Sequence, residues 1–249
     1  MPDSAQDILN RNRLSQEPAP VIHSVVFGFG HRMRCGKDLA CSIILRERGI
    51  SPLVFNGYRI NQYSFARALK QEVTKMALGS GGMQNLFSDG LRYPDAGYAR
   101  ADGTIVQLPD WVQYDPGAPM DDPDCPLGKQ RTFLQFWGVF RREENPNYWV
   151  DQVAKAIAKD RPEIALISDL RFMNEMQFVK HYGEAIRVDR PSVRSANAHI
   201  SEEALAGVPD DCWDDIIKND CSLEEFRKRV LFSFDMLIST HPAVRPATA

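Results

Sequence analysis

Residues Val25-Val26-Phe27-Gly28-Phe29-Gly30 form an apolar run that breaks into His31-Arg32-Met33-Arg34-Cys35 and closes on Gly36-Lys37-Asp38, after which the pattern turns amphipathic. That order prescribes a strand, a glycine-containing loop and a helix start. Glycines let backbone N–H groups crowd around phosphate oxygens, a lysine adds a point charge, and a helix N-terminus adds its partial positive charge to the same spot. Two details depart from the G-x-x-x-x-G-K-[ST] pattern. Five residues separate Gly30 from Gly36, and Asp38 stands where a magnesium-binding hydroxyl is expected. An ordinary strand-to-helix turn with an incidental lysine gives the same string, so the phosphate-loop reading needs support elsewhere in the chain.

The length of 249 residues suits one large α/β domain with insertions, and the formal charge of −3 gives no global argument for nucleic-acid or membrane binding. Any anionic ligand is then held by local positive charge. The five cysteines, Cys35, Cys41, Cys125, Cys212 and Cys221, are odd in number and lack metal-ligand spacing, and no apolar signal segment begins the chain. Reduced thiols and a cytoplasmic location are expected. No run approaches the roughly 18 apolar residues that span a bilayer.

Residues 1–20 are polar and end in Pro18-Ala19-Pro20, which reads as a mobile arm, and 241–249 reads as a flexible tail. Between them, a single domain over 21–240 alternates short apolar runs with helical patterns, the signature of a mostly parallel sheet with helices on both faces. The expected strands are Val21 to Phe27, with His23 inside it, then Leu53 to Phe55, Ile164 to Ser168, Ala185 to Val188 and Asp215 to Ile217. The helix after the loop is expected to bury Leu39, Ile43 and Ile44 and to stop at Gly49. Ser64 caps a helix carrying Phe65, Ala68, Leu69 and Met76 on one face and ending at Gly79. Asn145-Pro146 opens a helix with Val150, Val153, Ala154 and Ile157 as its buried stripe, ended by Arg161-Pro162. Phe172, Met176 and Val179 pattern another, and Leu223, Phe226 and Val230 the last. Residues 79–128 are punctuated by glycine, proline and aspartate, with strand-like alternation only at Thr104 to Leu108. Such an excursion is a lid, a binding loop or a mobile connection.

Three further constellations carry chemistry. The apolar run 164–168 delivers Asp169 at a strand's C-terminal end, where open α/β sheets place their ligand crevice. There it serves either a magnesium ion or a helix N-cap. Arg171 follows beside Asn174 and Glu175, and braces a phosphate or pairs with Glu175 on the surface. The stretch Arg131 to Arg142 alternates aromatics with arginines and Gln135; Phe133, Phe136 or Trp137, and Phe140 recur at helical spacing and belong to the core, which leaves the polar members for a ligand. His199 precedes a helix capped by Ser201 and reads as structural. No Ser-His-Asp order or zinc spacing is present.

Taken together these blocks resemble the deoxynucleoside monophosphate kinases of tailed bacteriophages, a branch of the P-loop nucleoside-phosphate kinases. The resemblance rests on Gly30-His31 to Gly36-Lys37-Asp38, Ser64-Phe65-Ala66 with Leu69-Lys70, Leu134-Gln135 through Trp149, and Ser168-Asp169-Leu170-Arg171-Phe172-Met173-Asn174-Glu175. Weaker echoes lie at His199-Ile200-Ser201-Glu202 and at Lys218 to Glu225. It implies a P-loop kinase fold with an insertion at 79–128, and transfer of the ATP γ-phosphoryl group to the 5′-phosphate of a deoxynucleoside monophosphate. It implies ATP and Mg²⁺ as cofactors, with Gly30, His31, Arg34, Cys35, Gly36, Lys37 and Asp38 at the donor and Asp38 and Asp169 at the metal. Lys37, Asp38, Asp169 and Arg171 become catalytic. Phe65, Lys70, Arg131, Gln135, Arg142, Trp149, Arg171, Asn174, Glu175 and Glu202 become acceptor-binding, with Arg142 or Arg131 joining Arg171 on the acceptor phosphate. The sequence departs from the family at Leu39, Val139 and Cys221, where threonine, threonine and glycine are usual. A kinase for hydroxymethylated bases and a non-catalytic nucleotide-binding protein are the rival readings. Membrane is excluded as a partner, nucleic acid is disfavoured, and a homodimer is left open.

Overall fold

The computed structural model describes residues 20–32, 34–49, 57–88, 108–192, 205 and 207–241. Five parallel strands form one sheet in the order β2-β3-β1-β4-β5. They are β1 (Val25–Gly30), β2 (Ile60–Tyr63), β3 (Ile164–Leu170), β4 (Gly183–Asp189) and β5 (Asp215–Lys218). The helices are α1 (Lys37–Arg48), α2 (Phe65–Gly79), α3 (Asn85–Ser88), α4 (Arg131–Glu144), α5 (Tyr148–Asp160), α6 (Met173–Tyr182) and α7 (Leu223–Thr240).

Every residue of β1 and β3 is buried, which explains why both read as near-continuous apolar runs: a parallel strand covered on both faces has no polar side to show. Alternate residues feed two cores. Val25, Phe27, Phe29, Ile164, Leu166, Ile186 and Val188 pack with Ile43 and Ile44 of α1 and Phe226, Val230 and Phe234 of α7. Val26, Ala165, Ile167 and Ala185 face Val153 and Ile157 of α5 and Met176 and Val179 of α6, a core that extends to Trp137 of α4 and Met76 of α2.

Several boundaries differ from the sequence expectation. β1 begins at Val25 rather than Val21 and runs through Gly28 and Gly30; Val21 and His23 are exposed and precede it. A Cβ on Gly28 would lie 2.7 Å from Val179, and one on Gly30 would lie 2.5 Å from the Trp213 ring. These glycines therefore let α6 and Trp213 press onto the strand, and their spacing is a packing signal rather than a loop signal. Leu39 and Leu223 point to solvent, and α1 buries Ala40 and Cys41 beside Ile43 and Ile44 instead. Asn145 ends α4 and accepts the Asn147 N–H, so α5 starts two residues later than expected. β2 and α3 have no counterpart in the sequence expectation. The expected strand at Leu53 to Phe55, nearly all of the Thr104 to Leu108 strand, the helix at Ser201, and all but Pro20 and His241 of the arm and tail lie outside the described residues.

Ser64 caps α2 as expected, accepting the Arg67 N–H at 3.1 Å. The described part of the excursion is fastened to α2: Lys70 pairs with Asp122 at 2.7 Å, Arg67 with Asp124 at 3.1 Å, and Lys129 closes on Asp122 from the other side. Farther along α2, Glu72 accepts from the Trp137 indole, from Arg141 Nε and from the Tyr148 hydroxyl, so one carboxylate joins α2, α4 and α5. Arg141 also lies over the Trp137 and Tyr148 rings. Removing Glu72 leaves a half-buried guanidinium and two aromatic donors without this acceptor. Glu72→Ala is expected to lose about 3 kcal/mol in urea denaturation, and a loss under about 0.5 kcal/mol, the range of an ordinary surface change, would show that the junction contributes little.

Candidate active site

The site forms where the loop leaves the sheet. Gly30 pairs with Leu170 across the β1–β3 ladder, so the loop and the segment Asp169–Arg171 leave the same C-terminal edge side by side. Within the loop His31, Arg34 and Gly36 have positive φ values of 98°, 63° and 110°. Gly36 is required twice over: its φ is left-handed, and a Cβ there would lie 2.6 Å from Asn219 Nδ2. Asn219 instead donates to the Cys35 carbonyl at 2.8 Å, so the turn after β5 braces the loop from below.

Lys37 opens α1 and is buried. Its ammonium donates to the carbonyls of His31 at 2.9 Å and Arg32 at 2.5 Å and lies 3.6 Å from the Cys35 sulfur. The lysine is thus folded into its own loop. Burial pushes the Cys35 thiol up, against the opposing pull of Lys37, so it is no activated thiolate. His31 is held below its ordinary value by burial, with Asp189 pulling the other way from 3.7 Å. Asp38 and Arg34 are exposed at the loop's rim.

Asp169 is almost fully buried, and both its oxygens are engaged by the start of α2. Oδ1 accepts the Phe65 N–H at 2.9 Å; Oδ2 accepts the Ala66 N–H at 2.7 Å and the Ser64 hydroxyl at 2.8 Å. Three of about four acceptor positions on the carboxylate are therefore filled. As a direct magnesium ligand Asp169 fits poorly, because ligation would compete with these bonds. Asp38, exposed on the first turn of α1 with no described side-chain partner, fits a hydrated ion better.

Beyond Asp169, the buried Glu175 accepts the N–H groups of Arg171 and Phe172 through one oxygen. Its other oxygen lies 3.5 Å from Arg142, whose guanidinium also donates to the Gly138 carbonyl and lies 4.2 Å over the Phe172 ring. Burial, with the Asp169 charge adding to it, pushes Glu175 up to about 7; the two backbone donors and Arg142 oppose this. Burial likewise lowers Arg142.

Of the sequence-picked residues, the structure therefore brings together Lys37, Asp169, Arg171, Glu175 and Arg142 around one sheet edge. Others stand apart. Trp149 is buried with its indole on the Gly138 carbonyl, and Phe65 is buried beside Asp169. Lys70 is paired with Asp122, and Asn174 donates to the Pro146 carbonyl, tying α6 to the start of α5. Arg131 and Gln135 are exposed on the same face of α4 as Arg142, but eleven residues of helix put Arg131 roughly 16 Å from Arg142 along the axis. Glu202 and His199 lie outside the described residues. Sequence reading misses the roles of Ser64 beyond its own cap, of Asn219 and of Trp213; of the last two, only Asn219 lies within a recognised block.

Residues 131–230 match the family model described as deoxynucleotide monophosphate kinase. The resemblance read from the sequence and this match agree on the family. The matched span runs from α4 into α7 and contains Arg142, Asp169, Arg171 and Glu175, whereas Lys37 and its loop precede it. A putative deoxynucleotide monophosphate kinase of Acanthamoeba polyphaga mimivirus is 35% identical over 71 residues, 28% of this chain. The match spans 36% of that relative's length. Among solved structures, a dephospho-CoA kinase from Campylobacter jejuni aligns over 86% of this chain and 98% of its own at 12% identity, with a TM-score of 0.45. No described helix is long and apolar enough to cross a membrane.

The raised Glu175 gives a pH test. The folded state holds its proton between the ordinary 4.5 and about 7, where the unfolded chain has released it. Its contribution to stability is therefore full below about 4.5 and is lost as pH rises through 7. Thermal midpoints from pH 5 to 8 should fall more steeply for the wild type than for Glu175→Gln; parallel curves would show that Glu175 titrates normally.

Proposed function

We propose that this chain is a deoxynucleoside monophosphate kinase that transfers the γ-phosphoryl group of ATP to the 5′-phosphate of a deoxynucleotide. The observation that carries this reading is the Gly30↔Leu170 pairing, which sets the loop from His31 to Lys37 beside a strand end bearing Arg171, with Arg142 held nearby by Glu175. The family match over 131–230 supports the same reaction.

Phosphoryl transfer asks for alignment and charge neutralisation, with little covalent work for the protein. In this reading the donor phosphates lie over the loop amides and the N-terminus of α1. Lys37 exchanges its two carbonyl partners for phosphate oxygens. Asp38 would hold the water shell of Mg²⁺, which would supply neutralisation of phosphate charge when bound with ATP. Arg142 and Arg171 take the acceptor phosphate, and Glu175 keeps Arg142 oriented while the Phe172 ring supports its guanidinium from below. Leu39 is exposed, so the missing hydroxyl leaves no buried gap in the loop.

Purified protein with magnesium-ATP should convert at least one of the four deoxynucleoside monophosphates, or a modified-base analogue, to its diphosphate, and Lys37→Ala should lower kcat by a factor of 100 or more. Absence of turnover on every acceptor would overturn the reading. Between the two candidate arginines the geometry favours Arg142: Arg142→Ala should raise the acceptor KM at least tenfold, while Arg131→Ala stays within threefold. The reverse order would place the acceptor phosphate at the other end of α4.

A further inference from the structure

The buried carboxylate at the end of β3 is committed to a helix. We propose that Asp169 is a positioning residue that clasps the N-terminus of α2 to the sheet edge and so sets the wall of the acceptor cleft, and that it does not ligate the metal. The inference rests on the kinase reading for its kinetic consequence only; the clasp itself stands on geometry.

Four observations carry it. The first is the trio of bonds from Ser64, Phe65 and Ala66, all at 2.7 to 2.9 Å, across 103 to 105 residues of sequence. A helix start leaves N–H groups without partners inside the helix and carries partial positive charge, and a carboxylate answers both. The second is division of labour: the Ser64 hydroxyl oxygen accepts the Arg67 N–H while its hydrogen reaches Asp169, so the cap and the clasp are one unit. Third, what Asp169 holds is the element facing the candidate acceptor residues. Leu69 of α2 lies against Gly138, one turn from Arg142 on α4, close enough that a Cβ on Gly138 would sit 3.3 Å from it. Fourth, apart from Arg67, which donates to the Gln62 carbonyl of the edge strand β2, the described polar ties of α2 run outward, to Asp122 and Asp124 of the excursion and through Glu72 to α4 and α5. Among the described contacts, Asp169 is the side chain that bonds the start of this helix to the central strands.

The chemistry also separates a clasp from a ligand. A carboxylate that accepts two N–H groups and a hydroxyl has its charge already compensated, and a magnesium ion, which sheds water reluctantly, gains little by displacing three donors. The helix start, in turn, is unavailable to a substrate phosphate because Asp169 occupies it. That leaves the cations Arg142 and Arg171 to receive the acceptor.

Asp169→Asn removes the charge and replaces one accepting oxygen by an NH₂ group. Amide hydrogen exchange, which needs no turnover, should show Phe65 and Ala66 exchanging at least tenfold faster in this variant, with the β3 amides unchanged. Kinetics should show acceptor KM raised at least tenfold, kcat within threefold, and the Mg²⁺ concentration for half-maximal rate unchanged. Ser64→Ala, which leaves every carboxylate in place, should move exchange and KM in the same direction by a smaller factor, and decides the matter if Asp169→Asn does not fold. Unchanged exchange at Phe65 and Ala66 with a rise in the Mg²⁺ requirement would overturn the proposal in favour of a metal ligand. If the wild type shows no kinase activity, the kinase reading falls while the exchange arm still decides the clasp.

Discussion

The pairing of β1 with β3 is the constraint on which the rest of the molecule depends. Both strands are buried from end to end, so their backbone groups have no water to fall back on and the parallel ladder fixes their register. Over Val25–Gly28 a slip of one residue would send the alternating side chains of Ile164 to Ile167 to the wrong cores; the ladder then steps by one residue between Gly28 and Gly30, Gly30 meets Leu170, and the loop and the Asp169 segment emerge together. The position of the candidate site is thus a consequence of core packing, and the loop's own glycines have little part in it. Gly28 and Gly30 serve Val179 and Trp213, and Gly36 alone makes the turn that requires a left-handed residue without a side chain.

Charge at the sheet edge is arranged as a series of enclosed partners. Asp169 answers the start of α2, Glu175 answers the start of α6 and Arg142, and Lys37 answers two carbonyls of its loop. Asp169 has three donors, while Glu175 has two backbone donors and a more distant guanidinium, and burial next to the Asp169 charge raises the Glu175 carboxyl above its ordinary value.

What the sequence discloses follows from the range of the interactions involved. β3, the Ser64 cap and the buried stripe of α5 are written in neighbouring residues, and all three are found. β2 is Ile-Asn-Gln-Tyr at the sheet's edge, too polar and too short to announce itself. The bounds of β1 are misread from sequence because glycines in a strand look like a loop until their packing partners, Val179 and Trp213, are known. Asp169 is legible as a carboxylate at a strand end, but its partners lie more than a hundred residues earlier, and no local pattern distinguishes a metal ligand from a clasp on a distant helix. The distance between Arg131 and Arg142 is hidden for a different reason: helical spacing puts both on one face of α4, and only the axial rise separates them.

Lys37 folded into its loop has one more consequence. An anion that draws the ammonium out replaces the His31 and Arg32 carbonyls, so its gain is a difference between two sets of hydrogen bonds and not the full strength of a new ion pair. A single small oxyanion recovers little from such an exchange. In the proposed reading, a chain of linked phosphates would engage the loop amides at the same time and meet the cost through several contacts at once, so the folded-in lysine would favour a polyvalent anion before any base is recognised.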